Sequence, residues 1–182
     1  IVCGTLGLKR TSFLRRATCL SSREYTKRLD SMKVVVISGY FNPLHVGHLD
    51  YIYEAKKLGE KLLVIVNNDE QVKIKGSDPF MNEHDRMRIV ESITPVSGAI
   101  LSIDNDSSVV RTLKSTYDMY NLARGWCAKS TVSIIFANGG DRKLGNTPEE
   151  EFCKEVGIET VYGVGGGKRE SSSELIANSK GV

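Results

Sequence analysis

The chain has 182 residues, 25 of them Lys or Arg and 22 Asp or Glu, for a formal net charge of +3; that length suits one domain with a substantial buried core. The surplus is local: residues 1–31 carry seven basic and two acidic side chains, which leaves 18 basic against 20 acidic in the other 151. A slightly acidic body lacks the basic surface that duplex nucleic acid needs, so small phosphorylated ligands are the expected partners and nucleic acid is not.

Residues 1–31 read as a separate basic extension. They are rich in Arg, Ser and Thr and hold no acidic residue before Glu24, as organelle transit peptides do. Position 1 is Ile, and Met32 directly precedes the first apolar run, so an upstream or fragmentary stretch without chemistry is the competing reading. From 32 to 182 a single domain is expected. Apolar, β-branched runs at 34–37, 62–66, 99–103, 132–137 and 160–164 predict five buried strands. Helices are predicted between them. The first covers 47–58 and stops at Gly59; the second covers 83–93, capped by Asn82 and ended by Thr94-Pro95; the third covers 106–120. Thr147-Pro148-Glu149-Glu150 reads as a capping box opening a helix that Gly157 ends, and Ser171 to Glu174 repeats the pattern for a C-terminal helix. Residues 122–130, with the only tryptophan, Trp126, fit no element and read as an insertion. The alternation predicts an α/β fold: a Rossmann-like, doubly wound, parallel five-stranded sheet with helices on both faces.

The four cysteines (Cys3, Cys19, Cys127, Cys153) show neither CxxC nor regular spacing. That speaks against a disulfide framework or structural zinc and for a reducing compartment, the cytoplasm unless residues 1–31 direct the chain to an organelle. No run of about 18 apolar residues occurs, so no membrane span is expected.

The chemistry concentrates where the first strand meets the first helix. Gly39-Tyr40-Phe41-Asn42-Pro43-Leu44-His45-Val46-Gly47-His48 holds two of the three histidines. The carboxyl end of a strand facing a helix N-terminus is where open α/β sheets hold phosphates. Imidazoles three residues apart can both donate to one anion from the first helical turn. Gly39 would let backbone approach a ligand, Asn42 and Pro43 would set the turn, and Gly47 would keep the helix entrance open. The alternative is a tight turn whose histidines satisfy local backbone groups. The later run Gly163 to Lys168 completes neither a Walker loop nor a GxGxxG motif, because Tyr162 and Lys168 stand where glycines are required.

This loop resembles the HxGH signature of the nucleotidyltransferase superfamily that includes glycerol-3-phosphate cytidylyltransferase, heptose-phosphate adenylyltransferase and phosphopantetheine adenylyltransferase. The resemblance continues through residues 33–178. Lys73 and Lys75 sit where that family places a phosphate-binding lysine, Arg86 at the arginine of its E-x-x-R segment, and Gly139-Gly140-Asp141 at the turn lying against the nucleoside. Ser171, Ser172 and Ser173 match a hydroxyl-rich helix start that holds the β- and γ-phosphates. The resemblance thus implies an enzyme that transfers a nucleotidyl group from CTP or ATP to a small phosphorylated acceptor, releasing pyrophosphate. Its catalytic set would be His45, His48, Lys73, Lys75 and Arg86. Its nucleotide-binding set would be Gly39, Tyr40, Phe41, Asn42, Gly47, Gly139, Gly140, Asp141, Ser171, Ser172 and Ser173. Mg²⁺ would travel chiefly on the phosphates, with no metal site of the protein's own, since no dense carboxylate cluster lies near the motif. A homodimer rests on the resemblance alone.

Two departures bear on specificity: Asn42 stands where such cytidylyltransferases usually carry Asp, and Gly166-Gly-Lys-Arg-Glu170 replaces their R-T-x-G-I. Base and acceptor therefore stay open, with CTP placed ahead of ATP by the resemblance. The rival reading is a non-catalytic nucleotide-binding or regulatory domain on the same fold. A metalloenzyme built on His45 and His48 lacks further ligands at suitable local spacing.

Overall fold

The computed structural model describes residues 32–126, 132–140, 142–143, 145, 147–166, 172 and 175. The expectation for residues 1–31 and most of the proposed C-terminal helix lie outside them. Five strands, β1 (Met32–Gly39), β2 (Lys61–Val66), β3 (Gly98–Leu101), β4 (Val132–Gly139) and β5 (Glu159–Val164), alternate with helices. The helices are α1 (Val46–Lys56), α2 (Asp69–Ile74), α3 (Glu83–Glu91), α4 (Val110–Trp126) and α5 (Glu149–Val156). All strand pairings are parallel, and the sheet order is β3-β2-β1-β4-β5. The predicted α/β architecture is the one observed.

Because successive strand residues point to opposite faces, the continuous apolar run of β1 feeds two cores. Val35 and Ile37 pack with Ile52 and Ala55 of α1 and Val90 of α3, whereas Val34 and Val36 pack with Leu113 of α4 and Phe152 of α5. Full burial of each such side chain contributes about 1.5–3 kcal/mol, so β1 is secured from both faces. Its neighbours are β2 on one side and β4 on the other, so the strand order reverses at β1/β4. A crevice at the carboxyl ends of the strands opens at such a reversal.

Three local expectations are corrected. The segment carrying Lys73, outside every helix predicted above, is helix α2: Asn68 accepts the Gln71 N–H at 2.9 Å, and the Gln71 side chain accepts the Asn68 N–H at 3.1 Å. Helix α4 begins at Val110 rather than 106 and runs on to Trp126, absorbing part of the supposed insertion. Its start is fixed by buried Asp104, which accepts the N–H groups of Arg111 and Thr112 at 2.8 and 3.0 Å, while Asp106 accepts from Ser108 instead. Helix α5 has no capping box. The Thr147 hydroxyl lies 3.3 Å from that of Tyr162, and Glu150 accepts the Gly145 N–H. Gly157 does end α5, in the left-handed conformation at φ 75°.

Candidate active site

Beyond β1 the chain turns on a buried anchor. Phe41 is 1% exposed and holds φ 49°, uncommon for a residue with a side chain. Its ring lies under the loop, 5.0 Å from the His48 ring, and a Cβ on Gly39 would fall 2.9 Å from it. Gly39 therefore admits Phe41 rather than a ligand, and Phe41 supports the site from below instead of lining it. Asn42 also acts at longer range than expected. Its amide donates to the Asp78 carbonyl at 2.9 Å and accepts the Phe80 N–H at 2.6 Å, tying the histidine loop to segment 78–80.

His45 is the N-cap of α1 and His48 its third residue, and the His45 N–H donates to His48 Nδ1 at 3.3 Å. The rings stack with centroids 3.8 Å apart and planes 28° from parallel. An accepting Nδ1 requires the neutral His48 ring to carry its proton on Nε2. Burial, then the neighbouring His45 and Lys75, push the His48 pKa down to about 3. The result is a neutral N–H donor beside the N–H groups that open α1, an arrangement suited to phosphate oxygens. Gly47 is part of it, because a Cβ there would stand 3.2 Å from the His45 ring.

The two lysines separate. Lys73 lies on α2, whereas the Lys75 ammonium sits 4.4 Å from the centroid of the Tyr40 ring and its charge reaches His48. Arg86 is a correction. The sequence reading places it on phosphate, but it is 1% exposed and committed elsewhere. It donates to the carbonyls of Tyr40 (2.6 Å), Asn67 (2.7 Å) and Met81 (3.2 Å) and to the Asp69 carboxylate (2.6 Å). It holds the ends of β1 and β2 to α2 and α3.

On the other side of β1, Gly139 is pressed against the Tyr51 ring, where a Cβ would come within 2.8 Å, and Tyr51 donates to the Ala137 carbonyl at 2.6 Å. Gly140 follows at φ 65°. Asp141, Ser171 and Ser173 lie outside the described residues. Ser172 reaches the histidine loop, donating to the Pro43 carbonyl at 3.1 Å. One group that the sequence reading passed over stands here: Arg142, 3.5 Å from the Ser38 hydroxyl and 3.3 Å from Asn138 Oδ1. Burial raises the Tyr40 pKa, against which the Arg142 charge acts. Among the described residues no three His, Cys, Asp or Glu side chains converge as a metal site, and no helix is long and apolar enough to cross a membrane.

Comparison with known proteins bears on the family and the fold. A FAD synthase of Aciduliprofundum boonei is 33% identical over 124 residues, 68% of this chain and 72% of that protein. A FAD synthase of Ferroglobus placidus is 47% identical over 75 residues, 41% of this chain. The chain spans about half the length of this relative (49%) and of a FAD synthase of Thermoplasma acidophilum (51%). Among solved structures, a lipopolysaccharide core biosynthesis protein of Thermoplasma volcanium superposes with a TM-score of 0.50 at 26% identity, over 72% of this chain and 93% of that one. The cytidylyltransferase-like family model matches residues 36–152, which include the end of β1, both histidines, Lys75 and Arg142, and the chain belongs to that family.

Proposed function

We propose that the protein is a nucleotidyltransferase that joins a nucleoside monophosphate unit to the phosphate of a small acceptor. An acceptor phosphate oxygen attacks the α-phosphorus of the nucleoside triphosphate. The bond from that phosphorus to the bridging oxygen breaks, and pyrophosphate leaves with the electron pair. One observation carries this reading: the stacked His45–His48 pair at the head of α1, with the His48 Nε2–H as a neutral donor. Charge on the transferring group grows on its non-bridging oxygens, and donors already fixed in place stabilise it without reorganising. Lys75 supports the triphosphate in this account, Ser172 braces the histidine loop through the Pro43 carbonyl, and the Gly139-Gly140 turn faces the nucleoside. Mg²⁺ neutralises phosphate charge when it arrives with the nucleotide. The donors around the histidines are N–H groups and cations, which suit phosphate oxygens and leave the metal to the triphosphate.

FAD consists of AMP joined to flavin mononucleotide (FMN) through a phosphoanhydride, so the names of the relatives favour adenylyl transfer, and ATP over CTP. A pyrophosphate-release screen that crosses ATP and CTP with FMN, glycerol 3-phosphate and sugar phosphates tests the proposal. Release that requires both a nucleotide and an acceptor is expected. Nucleotide binding without release for any pair would favour the regulatory reading instead.

A further inference from the structure

Resting on the nucleotidyltransferase reading, we propose that Arg142 is a substrate ligand whose guanidinium binds a phosphate group in the crevice between the carboxyl ends of β1 and β4. Its position is the first argument. It bridges Ser38 at the end of β1 and Asn138 at the end of β4, the two strands between which the sheet order reverses. Open α/β sheets bind ligands at that place.

How loosely it is held is the second. The bonds to Ser38 and Asn138 are 3.5 and 3.3 Å, both use Nη1, and the nearest carboxylate oxygen, Glu149 Oε2, is 4.0 Å away. Among the described residues no bond is made by Nη2 or Nε. The side chain is 33% exposed, whereas that of Arg86 is 0% exposed and makes three bonds of 2.6 to 2.7 Å. One arginine is committed to the scaffold; the other keeps its donor fork for something else. A planar fork of donors matches phosphate oxygens in bidentate fashion.

The bed beneath it is the third argument. Asn138 and Glu149 are each 1% exposed, and Asn138 Nδ2 and Glu149 Oε2 are buried without a hydrogen-bond partner. The other Glu149 oxygen is fixed by the Val109 N–H at 2.8 Å, so the carboxylate cannot swing out to water without losing that bond. The guanidinium can donate to Glu149 Oε2, whereas Asn138 Nδ2 is itself a donor and pairs only with an acceptor such as a phosphate oxygen. Glu149 is then a positioning residue, limiting how far Arg142 travels. With Lys75 above Tyr40, the site carries a cation on each side of the histidine loop. Transfer brings two anionic substrates together, and their repulsion has to be offset.

Both substrates carry phosphate, so the test has an arm for each. KM and calorimetric Kd are measured for ATP, and separately for FMN and glycerol 3-phosphate, in wild type, Arg142→Gln and Arg142→Lys, with thermal melts of all three. The glutamine variant is expected to melt like wild type and to raise KM and Kd for one substrate by roughly 10- to 100-fold, the scale of a lost charge-assisted hydrogen bond. The lysine variant should recover part of the loss, since it keeps the charge without the fork. A rise for ATP assigns Arg142 to the nucleotide; a rise for FMN or glycerol 3-phosphate assigns it to the acceptor. Constants within about twofold of wild type for every substrate, or a loss confined to kcat, would overturn the proposal. If the wild type releases no pyrophosphate, the catalytic reading falls while calorimetry with ATP, FMN, glycerol 3-phosphate and inorganic pyrophosphate still decides on Arg142. Equal binding by wild type and Arg142→Gln, or none by either, counts against it.

Discussion

Replacing Arg86 by Met separates a scaffold role from a phosphate-binding one. The guanidinium makes four bonds, to three carbonyls and the Asp69 carboxylate, from a position 1% exposed. Methionine has similar reach and fills much of the volume, but it leaves the Tyr40 and Asn67 carbonyls unmatched. The Asp69 carboxylate is 28% exposed and recovers some hydration, which trims its share. Removing one partner of such a buried pair costs about 3–5 kcal/mol. For a domain of this size that corresponds to a fall in Tm of about 6–20 °C. Thermal and urea melts followed by circular dichroism measure it, with ATP binding measured well below the transition. The account expects a large loss of stability, with affinity falling only as the 40–45 loop loosens. A variant that melts like wild type yet no longer binds ATP would refute the scaffold role and return Arg86 to the phosphates.

Lys75→Ala should lower pyrophosphate release by about 10-fold or more while Lys73→Ala stays within about twofold, since only Lys75 lies over Tyr40 and acts on His48; equal rates for the two would contradict this. Gly139→Ala puts a Cβ 2.8 Å from the Tyr51 ring and 3.0 Å from the Val164 carbonyl, a clash expected to cost about 1–3 kcal/mol in urea titrations. At Gly140 the space is open, so alanine there should cost only about 1 kcal/mol for its positive φ. The His48 ring resists protonation down to about pH 3, whereas in the unfolded chain it takes up a proton near its ordinary value of 6.5. Its contribution to stability is therefore complete above pH 6.5 and is lost as pH falls from there towards 3. The slope has a ceiling of about 1.4 kcal/mol per pH unit, and a ring that is only partly buried stays below it. Urea midpoints across that window should fall more steeply for wild type than for His48→Ala, and equal slopes would show that the ring titrates normally in the native state.

The strands were legible because each is a short apolar run, buried on both faces in β1, β2 and β4, and the parallel order followed from their alternation with helices. The histidine loop was legible because its signals are local: a strand end, two imidazoles and a glycine within ten residues. What escaped depends on distance. Arg86 meets the Tyr40 carbonyl across 46 positions, a contact that the pattern E-x-x-R cannot disclose. Arg142 matters only because β4 pairs beside β1, which brings it to Ser38 across 104 positions. Helix α2 was missed for another reason. It is six residues long, too short for apolar periodicity, and its one local signal is the Asn68–Gln71 capping pair.

The central claim is that His48 donates a neutral N–H to the transferring phosphoryl group. Pyrophosphate release by His48→Ala, with an unchanged circular dichroism spectrum and near-normal ATP affinity, tests it most directly. The account predicts a turnover lower by about 10²- to 10³-fold, the scale of losing one fixed transition-state donor. A folded variant that releases pyrophosphate at close to the wild-type rate would contradict it.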